Sequence, residues 1–250
     1  MEYGETRPLD GHAALVTGAS SGIGAASVEH LAAAGADVTL AARSRDELEA
    51  LARDVADEHG VDAHAVRTDV TDPEQVTAAV EATVEAFGSL DVVVANAGLG
   101  IDESVAEMSD ESYRTMMDVN VDGAFYTARA AIPHLSDSDG SLVFVSSFAG
   151  QHPRPANPVY AATKWWVRGF ALSLQGAVGD EGIGITQINP TEVRTDFGSE
   201  SGASMAERHE PGEVTEPGEV AEAIVFAVAY APPTHINSID IYRRDKLRHF

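Results

Sequence analysis

A glycine-rich turn between an apolar strand and a helix, near the start of the chain, is the feature that most constrains the fold. Ala13–Val16 is a short apolar run, Thr17-Gly18-Ala19-Ser20-Ser21-Gly22-Ile23-Gly24 follows it, and an alanine-rich helical stretch continues to about Ala34. Glycines in such a turn let the backbone approach a pyrophosphate, which sits on the free N–H groups of the helix N-terminus. The spacing is G-x-x-x-G-x-G and not G-x-G-x-x-G, so a tight turn without a ligand is the alternative.

Strands and helices alternate along the rest of the chain, which predicts an α/β fold with a parallel sheet. Further predicted strands are the apolar runs at residues 38–41, 63–66, 90–95, 142–145, 183–188 and 236–242. We therefore expect a single Rossmann-type doubly wound parallel sheet of about seven strands with helices on both faces. The chain shows no repeat or linker, which predicts one domain over residues 1–250 with a substrate loop at about 191–216. Within that loop, residues 198–216 show little periodicity and predict a mobile segment over the pocket.

The residues that follow the first four strands are expected to meet at one edge of the sheet, where ligands bind in open parallel sheets. They are Gly18, Arg43, Asp69 and Asn96. Ala42 fills the position where an acidic residue would bind a ribose 2′-hydroxyl, and Arg43 follows it. An arginine there can pair with a 2′-phosphate, which favours NADP(H) over NAD(H), although NAD(H) stays possible. The alternative is that Arg43 and Arg45 are solvated residues at the start of the next helix.

Tyr160 and Lys164 stand four residues apart and would share one face of a helix. A free tyrosine, with a pKa of about 10, is a poor proton donor or acceptor at neutral pH. A nearby ammonium would lower that pKa and make the pair a general acid/base. The chain has only two lysines, Lys164 and Lys246, beside 14 arginines. Taken alone, the pattern also fits an ordinary amphipathic helix in which the tyrosine packs.

A helical pattern from about Ser109 to Leu135 is interrupted by Asn120-Val121-Asp122-Gly123. Asparagine and glycine together weaken a helix interior by about 1 kcal/mol or more. Conflicts between local propensity and the wider pattern tend to occur at functional sites. The sequence therefore predicts either a kink that exposes backbone groups near Asn120 or a simple break between two helices.

Hydroxyl groups at the end of the fifth strand, on Ser146 and Ser147, are placed to hydrogen-bond a carbonyl oxygen. Three segments are expected to form the substrate pocket: residues 97–105, 149–158 and 191–212. Phe148, His152 and Trp165 would make that pocket favourable for an apolar or aromatic carbonyl compound.

The formal net charge of −24, from 40 acidic and 16 basic residues, argues against a nucleic-acid-binding protein. The acidic residues are scattered, and lysine is rare while arginine is retained. This favours adaptation to high cytoplasmic salt, as in a halophile, over a generic acidic surface. The basic segment 243–250 is a candidate subunit contact or a frayed terminus.

No disulfide or cysteine-ligated metal is possible, because the chain has no cysteine, and we predict no metal site. We see no apolar leader and no run near the ~20 apolar residues of a membrane span. The protein is expected to be soluble and cytoplasmic, with neither membrane nor nucleic acid as a partner.

Together, the motifs resemble the classical short-chain dehydrogenase/reductase family over about residues 10–242. The turn at residues 17–24 resembles its cofactor-binding turn, Asn96-Ala97-Gly98 its NNAG motif, and residues 190–195 its PGxVxT motif with Thr191 in place of glycine. Its catalytic tetrad is matched by Asn120, Ser147, Tyr160 and Lys164. Ser147 precedes the tyrosine by the family's usual interval, which selects it over Ser146.

The resemblance implies hydride transfer between a nicotinamide and a small carbonyl or secondary-alcohol substrate. Tyr160 would exchange the proton, Ser147 would hydrogen-bond the carbonyl oxygen, and Asn120 would hold a water that relays protons through Lys164. The residues implied for cofactor binding are Gly18, Ser20, Ser21, Gly22, Ile23, Gly24, Arg43, Asp69 (beside the adenine), Val70, Asn96, Ala97, Gly98, Tyr160, Lys164, Pro190, Val193 and Thr195. A homotetramer or homodimer built on the long helices is implied as well.

Two other functions are compatible with parts of the pattern. A non-catalytic cofactor-sensing protein would share the fold, but it needs no Tyr–Lys pair. A sugar-nucleotide epimerase or dehydratase would use such a pair, but it needs a larger substrate domain than 250 residues allow. The C-terminal stretch Ile236–Arg244 lacks the common VDGG ending and resembles more the branch with hydroxy-acid, serine and clavulanate-type dehydrogenases.

Overall fold

Seven parallel strands form the centre of the molecule in the computed structural model, which describes residues 7–199 and 202–245. Their order across the sheet is β3-β2-β1-β4-β5-β6-β7. The strands are β1 (Ala13–Thr17), β2 (Asp37–Ala42), β3 (Ala63–Arg67), β4 (Val92–Ala95), β5 (Ser141–Val145), β6 (Gly184–Pro190) and β7 (Ser238–Ile241). The chain runs outward from β1 in one direction and then from β4 in the other, so the predicted doubly wound sheet is confirmed.

Eight α-helices connect and cover the strands within the described residues. They are α1 (Gly22–Ala33), α2 (Arg45–His59), α3 (Pro73–Phe87), α4 (Asp110–Met117), α5 (Gly123–Ser138), α6 (Pro158–Val178), α7 (Met205–Arg208) and α8 (Pro217–Val228). The start of α3 is fixed by its cap: Asp72 accepts hydrogen bonds from the backbone N–H groups of Glu74 and Gln75, and Pro73 occupies the first helical position.

Alternating side chains of the strands enter two hydrophobic cores, one on each face of the sheet. On the first face, Val16, Leu40 and their neighbours pack against α1, α2 and α8. On the second face, Leu15, Phe144 and their neighbours pack against α3, α5 and α6. Because both faces are covered, the strands are continuous apolar runs, as a parallel sheet requires.

The helical backbone continues through Asn120, but it widens there from an α-helix to a π-helical turn. Asp118–Asp122 form a π-helical turn between α4 and α5, so the expectation of a simple break is wrong. Such turns are rare and frequently mark functional sites. Gly123 is required directly after the turn, because a Cβ there would lie 2.9 Å from Cγ2 of Val70.

The segment at residues 198–216, expected to lack regular structure, contains the one-turn helix α7. Ser204 and Glu207 form a capping box at its start, with each side chain accepting from the other's backbone N–H. The S-x-x-E spacing was the signal for this helix start in the sequence.

In the basic C-terminal segment, Arg243 pairs with Asp245 at 3.0 Å, whereas residues 246–250 lie outside the described residues. Among the described helices, none is long and apolar enough to cross a membrane.

Between the residues that the structure describes, few arginine–carboxylate pairs form. Within the described residues, the arginine–carboxylate pairs involve Arg7, Arg45, Arg194 and Arg243. Against 40 acidic side chains, these pairs leave a large self-repulsion that favours the expanded, unfolded chain.

We expect the melting temperature to rise when KCl is raised from about 0.1 M to about 2 M, because the Debye length shortens from about 10 Å to 3 Å or less. Circular dichroism at 222 nm, the standard helix signal, measures the transition. Sodium chloride at matched ionic strength separates screening from a specific potassium effect. A melting temperature that stays constant or falls would contradict the expected salt adaptation.

Candidate active site

A cleft of about 790 Å³ opens at the carboxyl edge of the sheet, where the strand order reverses between β1 and β4. This is the position where open α/β sheets bind ligands. Of the residues predicted from sequence, the cleft is lined by Gly18, Ser20, Ser21, Gly22, Ile23, Arg43, Asp69, Val70, Asn96, Ala97, Gly98, Ser147, Tyr160, Lys164, Pro190, Val193 and Thr195. Gly24 and Asn120 do not line it and lie buried behind its wall.

The glycine turn is held in a shape that side chains would prevent. Gly18 and Gly22 have φ angles of +64° and +54°, in the left-handed region that favours glycine. At Gly24, an added Cβ would collide with the carbonyl oxygen of Gly18 and would lie 2.7 Å from Nδ2 of Asn96. Gly24 therefore does not face the cleft; its lack of a side chain lets the first turn of α1 pack closely against Gly18 and Asn96.

A hydrogen-bond crossing joins the end of β1 to the end of β4. Asn96 Nδ2 donates to the carbonyl oxygens of Thr17 and Gly18, at 3.0 and 3.2 Å. In return, Thr17 Oγ1 accepts from the backbone N–H groups of Asn96 and Ala97, at 3.1 and 3.2 Å. Sequence reasoning missed Thr17, although a hydroxyl residue directly before the first glycine was a usable signal.

Arg43 and Arg45 differ in their surroundings. The exposed Arg43 lines the cleft together with Ala42 and Ser44. Arg45 is absent from the described lining, and its Nε donates to Glu49 Oε1 at 2.7 Å on the outer face of α2. Asp69 Oδ1 accepts from the backbone and hydroxyl of Thr71, which fixes the loop after β3 beside the cleft.

Ser147, Tyr160 and Lys164 come together where β5 ends and α6 begins. Ser147 Oγ accepts from the N–H of Ala149 at 3.1 Å and is hydrogen-bonded to the Tyr160 side chain. Lys164 is 6% exposed, and its Nζ donates a hydrogen bond to the carbonyl oxygen of Val145 at 3.0 Å. The ammonium stands 5.8 Å from the centroid of the Tyr160 ring.

Burial raises the pKa of Tyr160 to about 12, above its ordinary value of 10.0. The hydrogen bond with Ser147 and the positive charge of Arg154 act in the opposite direction but are smaller. The expected lowering of the Tyr160 pKa by Lys164 is therefore wrong for this structure, because desolvation dominates and the Lys164 ammonium is engaged by Val145. Burial also lowers the pKa of Lys164 itself to about 8.

Asn120 is positioned by the π-helical turn and reaches back to the loop after β4. Its Oδ1 accepts from the N–H of Leu99 at 2.9 Å, and its Nδ2 donates to the Leu99 carbonyl at 2.8 Å. Nδ2 also donates to Thr163 Oγ1 at 3.1 Å, next to Lys164 in the chain. Asn120 thus ties the Asn96-Ala97-Gly98 loop to α6, and Thr163 is a second residue that sequence reasoning missed.

The segment after β6 closes the far side of the cleft. Val193 pairs with Thr215, and the Thr195 side chain lies where a Cβ on Gly22 would meet it at 3.0 Å. Phe197 packs on Tyr160 with ring centroids 5.2 Å apart. The structure therefore adds Phe197 to the site. Sequence reasoning missed this residue, because no apolar pattern or motif surrounds it in the chain.

The pocket residues guessed from aromatic content are not cleft residues. Phe148 is 4% exposed and packs beneath the surface, and neither it nor His152 contributes to the described lining. Trp165 is 47% exposed on the outer surface of α6. It follows Lys164, which faces inward, so on a helix it points away from the cleft. Arg154 and Arg208, which were not singled out, do line the cleft.

The donors present fit the phosphates of a dinucleotide. Among the described residues, no side chain caps the N-terminus of α1, and its first turn carries no acidic group. The N–H groups and the positive dipole end there face the cleft at Gly22 and Ile23. The buried Oγ of Ser146 also lines the cleft and has no hydrogen-bond partner within residues 7–199 and 202–245.

Replacing Lys164 by methionine is expected to leave the melting temperature unchanged or to raise it at pH 7, because burying the ammonium destabilises the fold. The folded pKa of about 8 lies below the ordinary 10.5, so the cost is fully present below pH 8 and disappears as the pH rises to 10.5. The difference in melting temperature between Lys164→Met and the unmodified protein should shrink over that window. If Lys164→Met melted at a lower temperature than the unmodified protein at pH 7, the conclusion that the buried ammonium destabilises the fold would be wrong.

Comparison with known proteins gives the same family along nearly the whole chain. A family model described as short chain dehydrogenase matches residues 12–206. An uncharacterized oxidoreductase from Staphylococcus saprophyticus is 32% identical over 230 residues, which cover 92% of this chain and 95% of the relative.

Solved structures agree with the sequence matches. An alcohol dehydrogenase from Thermococcus sibiricus, complexed with 5-hydroxy-NADP, superposes with a TM-score of 0.85 at 31% identity, covering 93% of this chain and 98% of the other. A 3-ketoacyl-(acyl-carrier-protein) reductase from Brucella melitensis, complexed with NADH, has a TM-score of 0.82 at 28% identity, covering 93% and 97%. The chain belongs to the short-chain dehydrogenase/reductase family of oxidoreductases.

Proposed function

We propose that the protein is an NADP(H)-preferring oxidoreductase that interconverts a carbonyl compound and a secondary alcohol. The observation that carries the proposal is one cleft shared by the glycine turn, Arg43 and the Ser147–Tyr160–Lys164 group. A protein that only senses a cofactor needs the first two but not the third. The tyrosine and lysine side chains serve proton transfer, and this favours an enzyme.

The NADP(H) preference rests on the surroundings of Arg43. The guanidinium lines the end of the cleft next to the glycine turn, and the small Ala42 stands where a carboxylate would repel a 2′-phosphate. A guanidinium binds phosphate through paired, charge-assisted hydrogen bonds. Solved relatives carry either NADP-type or NADH ligands, so the family alone does not choose between them.

In the proposed mechanism, a bound nicotinamide nucleotide supplies or accepts the hydride. Ser147 hydrogen-bonds the substrate carbonyl oxygen, and the Tyr160 hydroxyl gives its proton to that oxygen as negative charge develops on it. The Lys164 ammonium lies 5.8 Å from the centroid of the Tyr160 ring, and we propose that it holds the nucleotide beside the Tyr160 hydroxyl, as the family resemblance implies.

The proton state of Tyr160 suits the reductive direction. With a pKa raised to about 12 by burial, the hydroxyl is protonated at neutral pH and is ready to act as an acid. The Ser147 hydrogen bond and the Arg154 charge, which lower that pKa, reduce the cost of proton release. The protein without ligands is therefore in the protonation state from which carbonyl reduction starts, while the direction of net turnover follows the nucleotide and substrate supplied.

Asn120 is proposed to act through the backbone it holds. By bonding to both polar groups of Leu99 and to Thr163, it fixes the Gly98 loop against α6, where Lys164 stands. The water that it is expected to hold for a relay through Lys164 stays a prediction.

The wider setting of the enzyme is proposed with it. We propose a single domain over residues 1–250 whose segment 191–216 closes on the substrate, working in the cytoplasm of a salt-adapted cell. Exposed aromatic rings on α5 and α6, Phe125, Trp165 and Trp166, support the proposed homotetramer or homodimer on these helices.

Replacing Tyr160 by phenylalanine is expected to lower kcat by about 10²- to 10⁴-fold, the usual contribution of a positioned acid/base group. The ring and its contact with Phe197 are retained, so the Kd of NADPH should change little. Stopped-flow or steady-state absorbance at 340 nm measures turnover, and fluorescence titration measures binding. A variant with near-normal kcat would refute the assignment of Tyr160.

Replacing Arg43 by alanine is expected to lower kcat/KM for NADPH by about 10- to 100-fold, the worth of a charge-assisted phosphate contact, and to leave NADH use almost unchanged. Arg45→Ala is the matched control, because Arg45 pairs with Glu49 outside the cleft. If Arg43→Ala weakened both nucleotides equally, or if Arg45→Ala had the larger effect, the preference would have another origin.

A further inference from the structure

Two arginines besides Arg43 line the cleft, and the function proposed above gives neither of them a contact with the substrate. Arg154 lies in the loop between β5 and α6, and Arg208 is the last residue of α7. They reach the cleft from two segments that are far apart in the chain.

Arg154 is held beside the catalytic hydroxyls by an aromatic ring. Its guanidinium carbon stands 5.1 Å from the centroid of Phe148, the residue directly after Ser147. Phe148 is itself buried between His152, stacked at 4.2 Å, and Tyr242, in edge contact at 5.6 Å. The positive charge of Arg154 is felt at Tyr160, whose pKa it lowers. A fixed cation therefore stands close to the place of the reacting carbonyl.

Arg208 is carried by a helix that is anchored to the same region. Within α7, the N–H groups of Met205 and Ala206 donate to the carbonyls of Phe197 and Thr195, at 3.0 and 2.8 Å. Phe197 in turn packs on Tyr160. The Arg208 side chain makes no ion pair with any residue in 7–199 or 202–245.

The charge of the cleft contrasts with the charge of the chain. The cleft is lined by four basic residues, Arg43, Arg154, Lys164 and Arg208, and by four acidic ones, Asp69, Asp118, Glu192 and Asp196. The whole chain carries −24. A protein with this field repels anions in general, so an anionic ligand can bind only where basic groups are concentrated locally. With equal numbers of basic and acidic residues, the cleft is far less acidic than the chain as a whole. Arg154 and Arg208 are the basic residues in it that the proposed cofactor site does not use.

We propose that the substrate is an oxo acid, a carbonyl compound that carries a carboxylate a few carbons from the reacting carbonyl, and that Arg154 binds the carboxylate with Arg208 closing over it. This rests on the proposed function. Hydride adds to the carbonyl carbon, and the oxygen takes the Tyr160 proton, which solvent replaces. The reduced nucleotide is oxidised, the oxo acid becomes a hydroxy acid, and the carboxylate is unchanged. A planar guanidinium suits a carboxylate because it offers two parallel N–H donors.

The test compares acids with their uncharged esters. Acetoacetate and methyl acetoacetate form one pair, laevulinate and methyl laevulinate the other, each assayed with NADPH at constant ionic strength. The variants are Arg154→Gln, Arg154→Lys and Arg208→Gln. Arg53→Gln is the control, because Arg53 is an exposed arginine of α2 that does not line the cleft.

We expect the unmodified protein to prefer at least one acid over its ester. Arg154→Gln should lower kcat/KM for the acid by about 10- to 100-fold more than for the ester. Both substrates lose the Arg154 charge beside Tyr160, but only the acid loses a charge-assisted contact. Arg154→Lys should restore part of the preference, because it restores the charge without the paired donors. Arg208→Gln should raise KM for the acid, and Arg53→Gln should change neither substrate.

Other results would overturn the proposal in distinguishable ways. If esters and neutral ketones are reduced faster than the acids, or if Arg154→Gln affects acid and ester equally, the anion site is wrong and the reductase stands. If NADPH binds but no carbonyl compound is reduced, the proposed function itself fails, and the substrate class fails with it.

Discussion

The hydrogen-bond crossing between Thr17 and Asn96 is the contact on which the site depends. β1 and β4 are neighbours in the sheet, but their chains leave it in opposite directions. Such a reversal opens a crevice, and polar backbone groups at its floor must find partners. The Asn96 amide and the Thr17 hydroxyl supply them, through four bonds of 3.0–3.2 Å. The glycine turn and the Asn96-Ala97-Gly98 loop are thereby fixed in one rigid floor.

Burial governs the chemistry above that floor. The same desolvation that raises the pKa of Tyr160 also lowers the pKa of Lys164, and each shift makes the neutral form of the group more favourable. Among the residues that the structure describes, the Lys164 ammonium has one hydrogen-bond acceptor, the Val145 carbonyl. The site therefore holds Lys164 at a cost to stability. Such local costs are expected where function requires a charge in a closed environment.

Much of the fold could be predicted from the sequence because neighbouring residues decide it. Apolar runs give the strands of a sheet that is buried on both faces, and the runs predicted as strands correspond to the seven strands observed. The tyrosine–lysine spacing and the glycine turn could be recognised because both are local patterns. The π-helical turn at Asn120 was visible as a conflict of propensities, but its form was not. It depends on the Leu99 and Thr163 groups that Asn120 bonds, 21 and 43 residues away.

The sequence by itself determined the sheet and the glycine turn and predicted that Tyr160 and Lys164 share a helix face, because spacing along a helix or strand fixes which residues share a face. Only the tertiary structure decided that Arg43 lines the cleft while Arg45 pairs with Glu49, and that Trp165 points outward. It also decided the direction in which the Tyr160 pKa is shifted, where a local argument from Lys164 gave the opposite direction. Burial and charge act through space, over groups such as Val145, Ser147 and Arg154 that the chain brings together only when it folds.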